Sequence, residues 1–142
     1  MELKERFEYI KKCIINLDEL LKKHNTDEIV NSFIMLASIL YILQTSIQAL
    51  IDIGLRFLAE LGKKPPSTYG DIGEALRQES IFTKADADLF KKIVGFRNIV
   101  VHQYLGIDTN LVKKILDERL YYDIMKLALK ILENAERRGI DP

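Results

Sequence analysis

Between Asp27 and Leu61 the chain carries an apolar pattern that a strand cannot use and a single bundle can barely hide. Its first half is apolar on nearly every side of a helix: Ile29, Val30, Phe33, Ile34, Met35, Leu36, Ile39, Leu40, Ile42 and Leu43. Read as one helix, the segment spans roughly 50 Å at about 1.5 Å per residue, well above the usual globular length. A chain of 142 residues covers one stripe of such a helix more readily than its circumference. Two solutions follow: a helix enclosed within its own bundle, or one whose remaining face lies against a second copy, most simply a two-fold homodimer. The longest apolar run, Phe33 to Leu43, is broken by Ser38. A bilayer span needs about 20 apolar residues, so the expectation is a buried or interfacial helix and no membrane partner.

The flanking segments read as shorter helices. Residues 2–24 place Phe7, Ile10, Ile14, Leu17 and Leu21 three or four apart, which makes one buried stripe. His24-Asn25 supplies a stop, with His24 as a helix-end residue favoured by the dipole, and Thr26 or Asp27 caps the next start. Gly62-Lys63-Lys64-Pro65-Pro66 ends the long segment, because glycine suits the left-handed cap and proline cannot continue a helix. A short helix is expected over about 71–79, with Ile72 and Leu76 inward. Thr83-Lys84-Ala85-Asp86 resembles a capping box with Asp in place of Glu. It opens a helix carrying Ala87, Phe90, Ile93, Val94, Ile99 and Val100. Asp108 or Thr109 caps a last helix to about Arg137, with a stripe of Leu111, Val112, Ile115, Leu116, Leu120, Ile124, Leu127, Leu129, Ile131 and Leu132. Period-two alternation and internal repeats are both missing. The reading is all-α: an antiparallel four-helix bundle with one short additional helix, in a single domain over 1–142.

Composition narrows the function classes. Lys+Arg and Asp+Glu both total 21, which argues against a protein that coats nucleic acid through a large positive field. A small local phosphate site remains compatible with that balance. Cys13 is the only cysteine, so an internal disulfide is impossible and a reducing, cytoplasmic setting is the simpler expectation. One cysteine and two histidines cannot make a zinc site without carboxylates. The charged start, Met1 to Arg6, does not read as a signal peptide. Lysine and arginine doublets are spread evenly and read as solvated faces; Lys91-Lys92 are best placed to steer a polyanion.

One stretch reads as chemistry: Gly95-Phe96-Arg97-Asn98-Ile99-Val100-Val101-His102-Gln103-Tyr104. Arg97 can hold a phosphate through two parallel charge-assisted bonds, and His102 can move a proton near neutral pH. Five residues apart on a helix they sit about 140° from one another. They converge only if the helix ends near His102 and the imidazole turns back, or if a second copy completes the site. Taken singly, each residue also has an ordinary reading: Arg97 in an ion pair, His102 bonding a helix-end carbonyl, Tyr104 as a buried aromatic. Upstream, Gln44, Gln48 and Asp52 recur every fourth residue as one polar row. That row is either a solvated face or a support that orients a donor for Arg97 and His102, with Asp52 the candidate.

Arg97-Asn98, three residues, then His102-x-Tyr104 resembles the R-N-x3-H-x-Y signature of HEPN-domain proteins. More narrowly, it resembles the HepT toxins, helical ribonucleases paired with MntA-type nucleotidyltransferase antitoxins. Gln48-Ala49-Leu50-Ile51-Asp52-Ile53, Pro66-Ser67-Thr68-Tyr69 and Val94-Gly95-Phe96 extend the likeness over about residues 36 to 133. The resemblance implies the toxin component of a toxin-antitoxin pair, cutting RNA without a metal or other cofactor. RNA carries its own nucleophile, the 2′-hydroxyl, and needs only a base, an acid and a cation at the phosphorane. On this reading Arg97 and His102 are catalytic, Asn98 and Asp52 support them, and the antitoxin adenylylates Tyr104. The alternative is a non-catalytic HEPN module that dimerises and binds a nucleotidyltransferase.

Overall fold

The structure, a computed structural model, describes residues 2–140; Met1, Asp141 and Pro142, the ends of the expected single domain, lie outside them. Among the described residues there are seven α-helices and no strand: α1 (Leu3–Lys23), α2 (Thr26–Asn31), α3 (Phe33–Glu60), α4 (Ile72–Gln78), α5 (Lys84–Gln103), α6 (Thr109–Asp117) and α7 (Tyr122–Arg137). Single 3₁₀ turns precede α4 at Tyr69–Asp71 and follow α5 at Tyr104–Gly106. The fold is the expected four-helix bundle, with α3 as the central helix against which α1, α5 and α7 all pack.

Two long segments are broken where unbroken helices were expected. The first break is at Ser32, whose extended backbone ends α2 and whose hydroxyl accepts the Met35 N–H to cap α3. The start of α2 is capped by Asn25, one residue before the expected Thr26 or Asp27, in a reciprocal box with Glu28. The second break separates α6 from α7. Arg119 takes the left-handed conformation (φ 55), the Leu120 N–H reaches back to the Ile115 carbonyl at 2.9 Å and the Arg119 N–H to Leu116 at 3.2 Å. That is a Schellman cap with arginine where glycine is usual. The same pattern closes α3 on Gly62 (φ 74).

The core follows the expected stripes with local exceptions. Phe7, Ile10, Ile14 and Leu17 of α1, and Leu36, Ile39, Leu40, Leu43, Ile47, Leu50 and Leu58 of α3, are buried together. Ile99, Leu120 and Leu129, expected inside, are exposed instead. So are Phe33 and Ile34, at 72% and 76%, and Tyr41. Helix α3 is long and apolar enough to cross a membrane by length and composition, but much of it is the core helix of this bundle. It carries more buried residues than any other helix among the described residues.

Three polar contacts fix helices to one another. The Asp18 carboxylate on α1 accepts from the Tyr121 hydroxyl at 2.5 Å and from the Tyr122 hydroxyl, tying α1 to the start of α7. Burial, and then the Asp18 contact, push the Tyr121 hydroxyl well above its ordinary pKa. Asp86, buried at the start of α5, pairs with Lys130 of α7. Gly73 lets α4 lie flat on α5: a Cβ there would stand 3.0 Å from both the Ala87 carbonyl oxygen and Phe90 Cβ.

Candidate active site

Helix α5 carries Arg97, Asn98 and His102, and Tyr104 caps its end. Its N-terminus is set by the Thr83/Asp86 capping box, as the sequence reads, and it runs unbroken through His102 to Gln103. Both Arg97 and His102 therefore lie within α5, about 140° apart around its axis, and the helix ends one residue past His102. His102 is exposed, one residue before the helix terminus.

Arg97 is half-buried and gripped on two sides. Its Nη2 donates to Gln48 Oε1 of α3 at 2.9 Å, and its Nη1 to Asn98 Oδ1 at 3.2 Å. The Tyr69 ring covers the guanidinium with 5.6 Å between the group and the ring centroid, a cation–π contact. Nε is buried and has no hydrogen-bond partner among the described residues. Guanidinium has five N–H donors, so most of this one's capacity is unspent, and a buried donor without an acceptor costs about 1–3 kcal/mol.

The polar row of α3 faces this arginine and the first helix. Gln48 Nε2 donates to Asp52 Oδ1 at 3.0 Å, and Asp52 Oδ2 pairs with Arg6 Nη1 of α1 at 2.9 Å. The row is not a simple solvated face, since Gln44, Gln48 and Asp52 are all half-buried. Sequence reasoning missed Arg6 in this arrangement: nothing in an amphipathic first turn distinguishes it from other surface cations. Tyr69 was legible only as part of the flanking text, not as a contact of Arg97.

Tyr104 terminates α5 with φ 42 and ψ −114, a conformation L-residues rarely adopt and one that costs on the order of 1–3 kcal/mol. Its hydroxyl donates to the Ala37 carbonyl of α3 at 3.2 Å, and its ring packs against the core. On α3, Ala37 shares a face with Phe33, Ile34 and Tyr41, which lie three or four residues away. The end of α5, with exposed Val101 and Leu105, is therefore seated beside the exposed apolar surface of α3. Among the described residues no group of three or more His, Cys, Asp or Glu is placed to hold a metal ion. A groove of about 620 Å³ runs along another side of α5, lined by Leu43, Ile47, Phe96, Ile115 and Ile124 with Lys92 and Lys114 at its rim.

A family model described as ribonuclease HepT-like matches residues 10–131. The chain belongs to the HepT-like ribonuclease family. Relatives of this HepT-like chain include a putative RNase of Archaeoglobus fulgidus, 28% identical over 132 residues that make up 93% of this chain and 89% of the relative. The mRNA nuclease HepT of Shewanella oneidensis is 26% identical over 122 residues, covering 82% of this chain and 90% of the other. Among solved structures, a tri-AMPylated Shewanella oneidensis HEPN toxin in complex with MNT antitoxin superposes with a TM-score of 0.81 at 24% identity, over 92% of this HepT-like chain and 96% of that one. A mutant MntA-HpeT toxin-antitoxin complex gives a TM-score of 0.82 at 23% identity, over 92% and 98%. At those identities the structural likeness is one of fold.

Proposed function

We propose that this HepT-like chain is the toxin of a toxin-antitoxin pair and cleaves RNA without a metal, with Arg97 and His102 as its catalytic groups. The observation that carries the proposal is the Arg97 guanidinium, gripped by Gln48 and Tyr69 yet with buried Nε unpartnered, about 1.4 turns before an exposed imidazole on the same helix. In the reaction, a base takes the proton of the 2′-hydroxyl, and the freed oxygen attacks the adjacent phosphorus. The phosphorane forms with its added charge against Arg97, and an acid returns a proton to the departing 5′-oxygen. A 2′,3′-cyclic phosphate and a 5′-hydroxyl result, so atoms and protons balance. His102 moves the protons and Asn98 holds an edge of Arg97. General acid–base catalysis contributes about 10² to 10⁴ in rate, roughly 3–5 kcal/mol, and a preorganised cation adds a few more.

Because Arg97 and His102 point along different azimuths of one helix, the site is completed by a second copy. The exposed apolar surface beside the end of α5 supplies the face for a homodimer, and base and acid come from the two His102 residues. Control follows the solved complex whose name gives a tri-AMPylated HEPN toxin with an MNT antitoxin: an MntA-like nucleotidyltransferase partner transfers AMP from ATP to the Tyr104 hydroxyl, releasing pyrophosphate. Tyr104 must first give up its bond to the Ala37 carbonyl. The added anion, two residues from His102, then repels RNA phosphate.

The azimuthal separation also favours a second reading, a non-catalytic HEPN module that binds a nucleotidyltransferase and uses Arg97 only as a phosphate anchor. Replacing His102 decides between them. His102→Ala is expected to remove cleavage of labelled RNA while the circular-dichroism melt stays within about 0.5 kcal/mol of the parent, as for an exposed side chain. Cleavage at the parent rate in that variant would leave the non-catalytic module standing.

A further inference from the structure

Arg97 is the last member of a row of polar contacts that begins on the first helix. Arg6 Nη1 of α1 lies 2.9 Å from Asp52 Oδ2 of α3. The other carboxylate oxygen accepts from Gln48 Nε2 at 3.0 Å, and Gln48 Oε1 accepts from Arg97 Nη2 at 2.9 Å. Each link dictates the next. An ionised carboxylate only accepts, so the amide next to Asp52 must turn its NH₂ toward it. That leaves the amide oxygen, the only acceptor of the Gln48 side chain, facing a guanidinium that only donates. With the amide reversed, an oxygen would meet a carboxylate and an NH₂ would meet a guanidinium, both repulsive. Arg6 occupies the second oxygen of Asp52 and so fixes the plane of the carboxylate. The Tyr69 ring lies over the same guanidinium, with its centroid 5.6 Å away.

The pair at the head of this row is a weak strut in its own right. The side chains of Arg6 and Asp52 remain 33% and 29% exposed, and ion pairs at that exposure contribute little to stability. The catalytic value of a guanidinium, by contrast, depends steeply on its aim, because a displacement of about 1 Å can cost on the order of 100-fold in rate. We infer that Arg6, Asp52 and Gln48 are positioning residues that act through Arg97, setting the plane of its guanidinium before RNA arrives, with Arg6 as the anchor. This rests on the reading of Arg97 as the cation that meets the phosphorane.

The test uses the full chain and a labelled RNA, with kcat and KM measured separately. Gln48→Met keeps the volume, leaves the Arg6–Asp52 pair intact and severs the row. It is expected to lower kcat by roughly 10- to 100-fold, with an almost unchanged KM and an unchanged melting temperature. Arg6→Asp combined with Asp52→Arg restores an ion pair between the helices but presents a donor to the Gln48 amide, which must then reverse. The expected result is parent-like stability with kcat still depressed; recovery of kcat in this swap would show the pair to be a strut and overturn the inference. Arg97→Ala separates the two layers of the reading. If it cleaves RNA like the parent, the catalytic assignment itself is wrong. If Arg97→Ala is inactive while Gln48→Met is fully active, the assignment survives and the positioning row does not.

Discussion

Asp86 does two things at the start of α5, and both depend on its charge. One oxygen accepts the Thr83 N–H at 3.0 Å, closing the capping box, and the same oxygen meets Lys130 of α7. Burial alone would raise this carboxyl; the hydrogen bond from Lys130 and those from the Thr83 backbone and side chain outweigh it and hold the group below its usual value. With a folded pKa below the unfolded one, the stabilisation is complete above the unfolded value, near 4, and is lost as pH falls toward and through the folded one. Asp86→Ala is expected to cost about 2–3 kcal/mol at neutral pH by urea denaturation, less than for a fully buried pair because Lys130 is 37% exposed. The same variant should show a flatter loss of stability as pH falls below about 4; an acid limb as steep as the parent's would mean that other carboxylates carry it. The capping box was legible because Thr83 and Asp86 stand three residues apart and the interaction is local. The contact between Gln48 and Arg97 spans 49 positions, and only the chemistry of the row on α3 hinted at it.

At the scale of elements, legibility depended on how each helix ends. The stop at Gly62 could be read because glycine is the ordinary left-handed residue. The stop at Arg119 could not: a non-glycine residue takes the same conformation, and Leu116, Leu120 and Ile124 keep a four-residue spacing straight across it. Ser32 was hidden for a different reason: its break is one extended residue between Val30 and Phe33, with no glycine or proline to mark it. The short helix α4 was read from Ile72 and Leu76, but its use was not. Its Gly73 sits against Ala87 and Phe90 of α5, and the turn that precedes it carries Tyr69 onto Arg97. Gly73→Ala forces a methyl group into a gap that backbone lines on one side. It is expected to destabilise the fold by about 1–3 kcal/mol and to lower RNA cleavage further than the stability loss explains, because Tyr69 shifts with α4. A melt indistinguishable from the parent's would show that α4 and α5 are not held at this crossing.

For the whole molecule, the apolar excess of the second segment was legible but its distribution was not. Leu36, Ile39, Leu40 and Leu43 found cover inside the chain, and Phe33, Ile34 and Tyr41 did not. Three large side chains on one face of α3, beside exposed Val101 and Leu105, fit a contact between two copies. Light scattering at micromolar concentration is expected to return twice the chain mass for the parent and the chain mass for Phe33→Asp/Ile34→Asp. The double variant should also lose RNA cleavage while keeping its helical spectrum. A parent that stays monomeric would require Arg97 and His102 of one chain to act alone, which their separation around α5 opposes.

Catalysis by this guanidinium and imidazole, with the 2′-hydroxyl as nucleophile, is tested most directly by the ends of the RNA fragments. Purified protein and end-labelled RNA, incubated in excess EDTA, should give products with 2′,3′-cyclic phosphate and 5′-hydroxyl termini, and Arg97→Ala and His102→Ala should give none. Fragments with 5′-phosphate ends that form only after a divalent metal is restored would contradict the account.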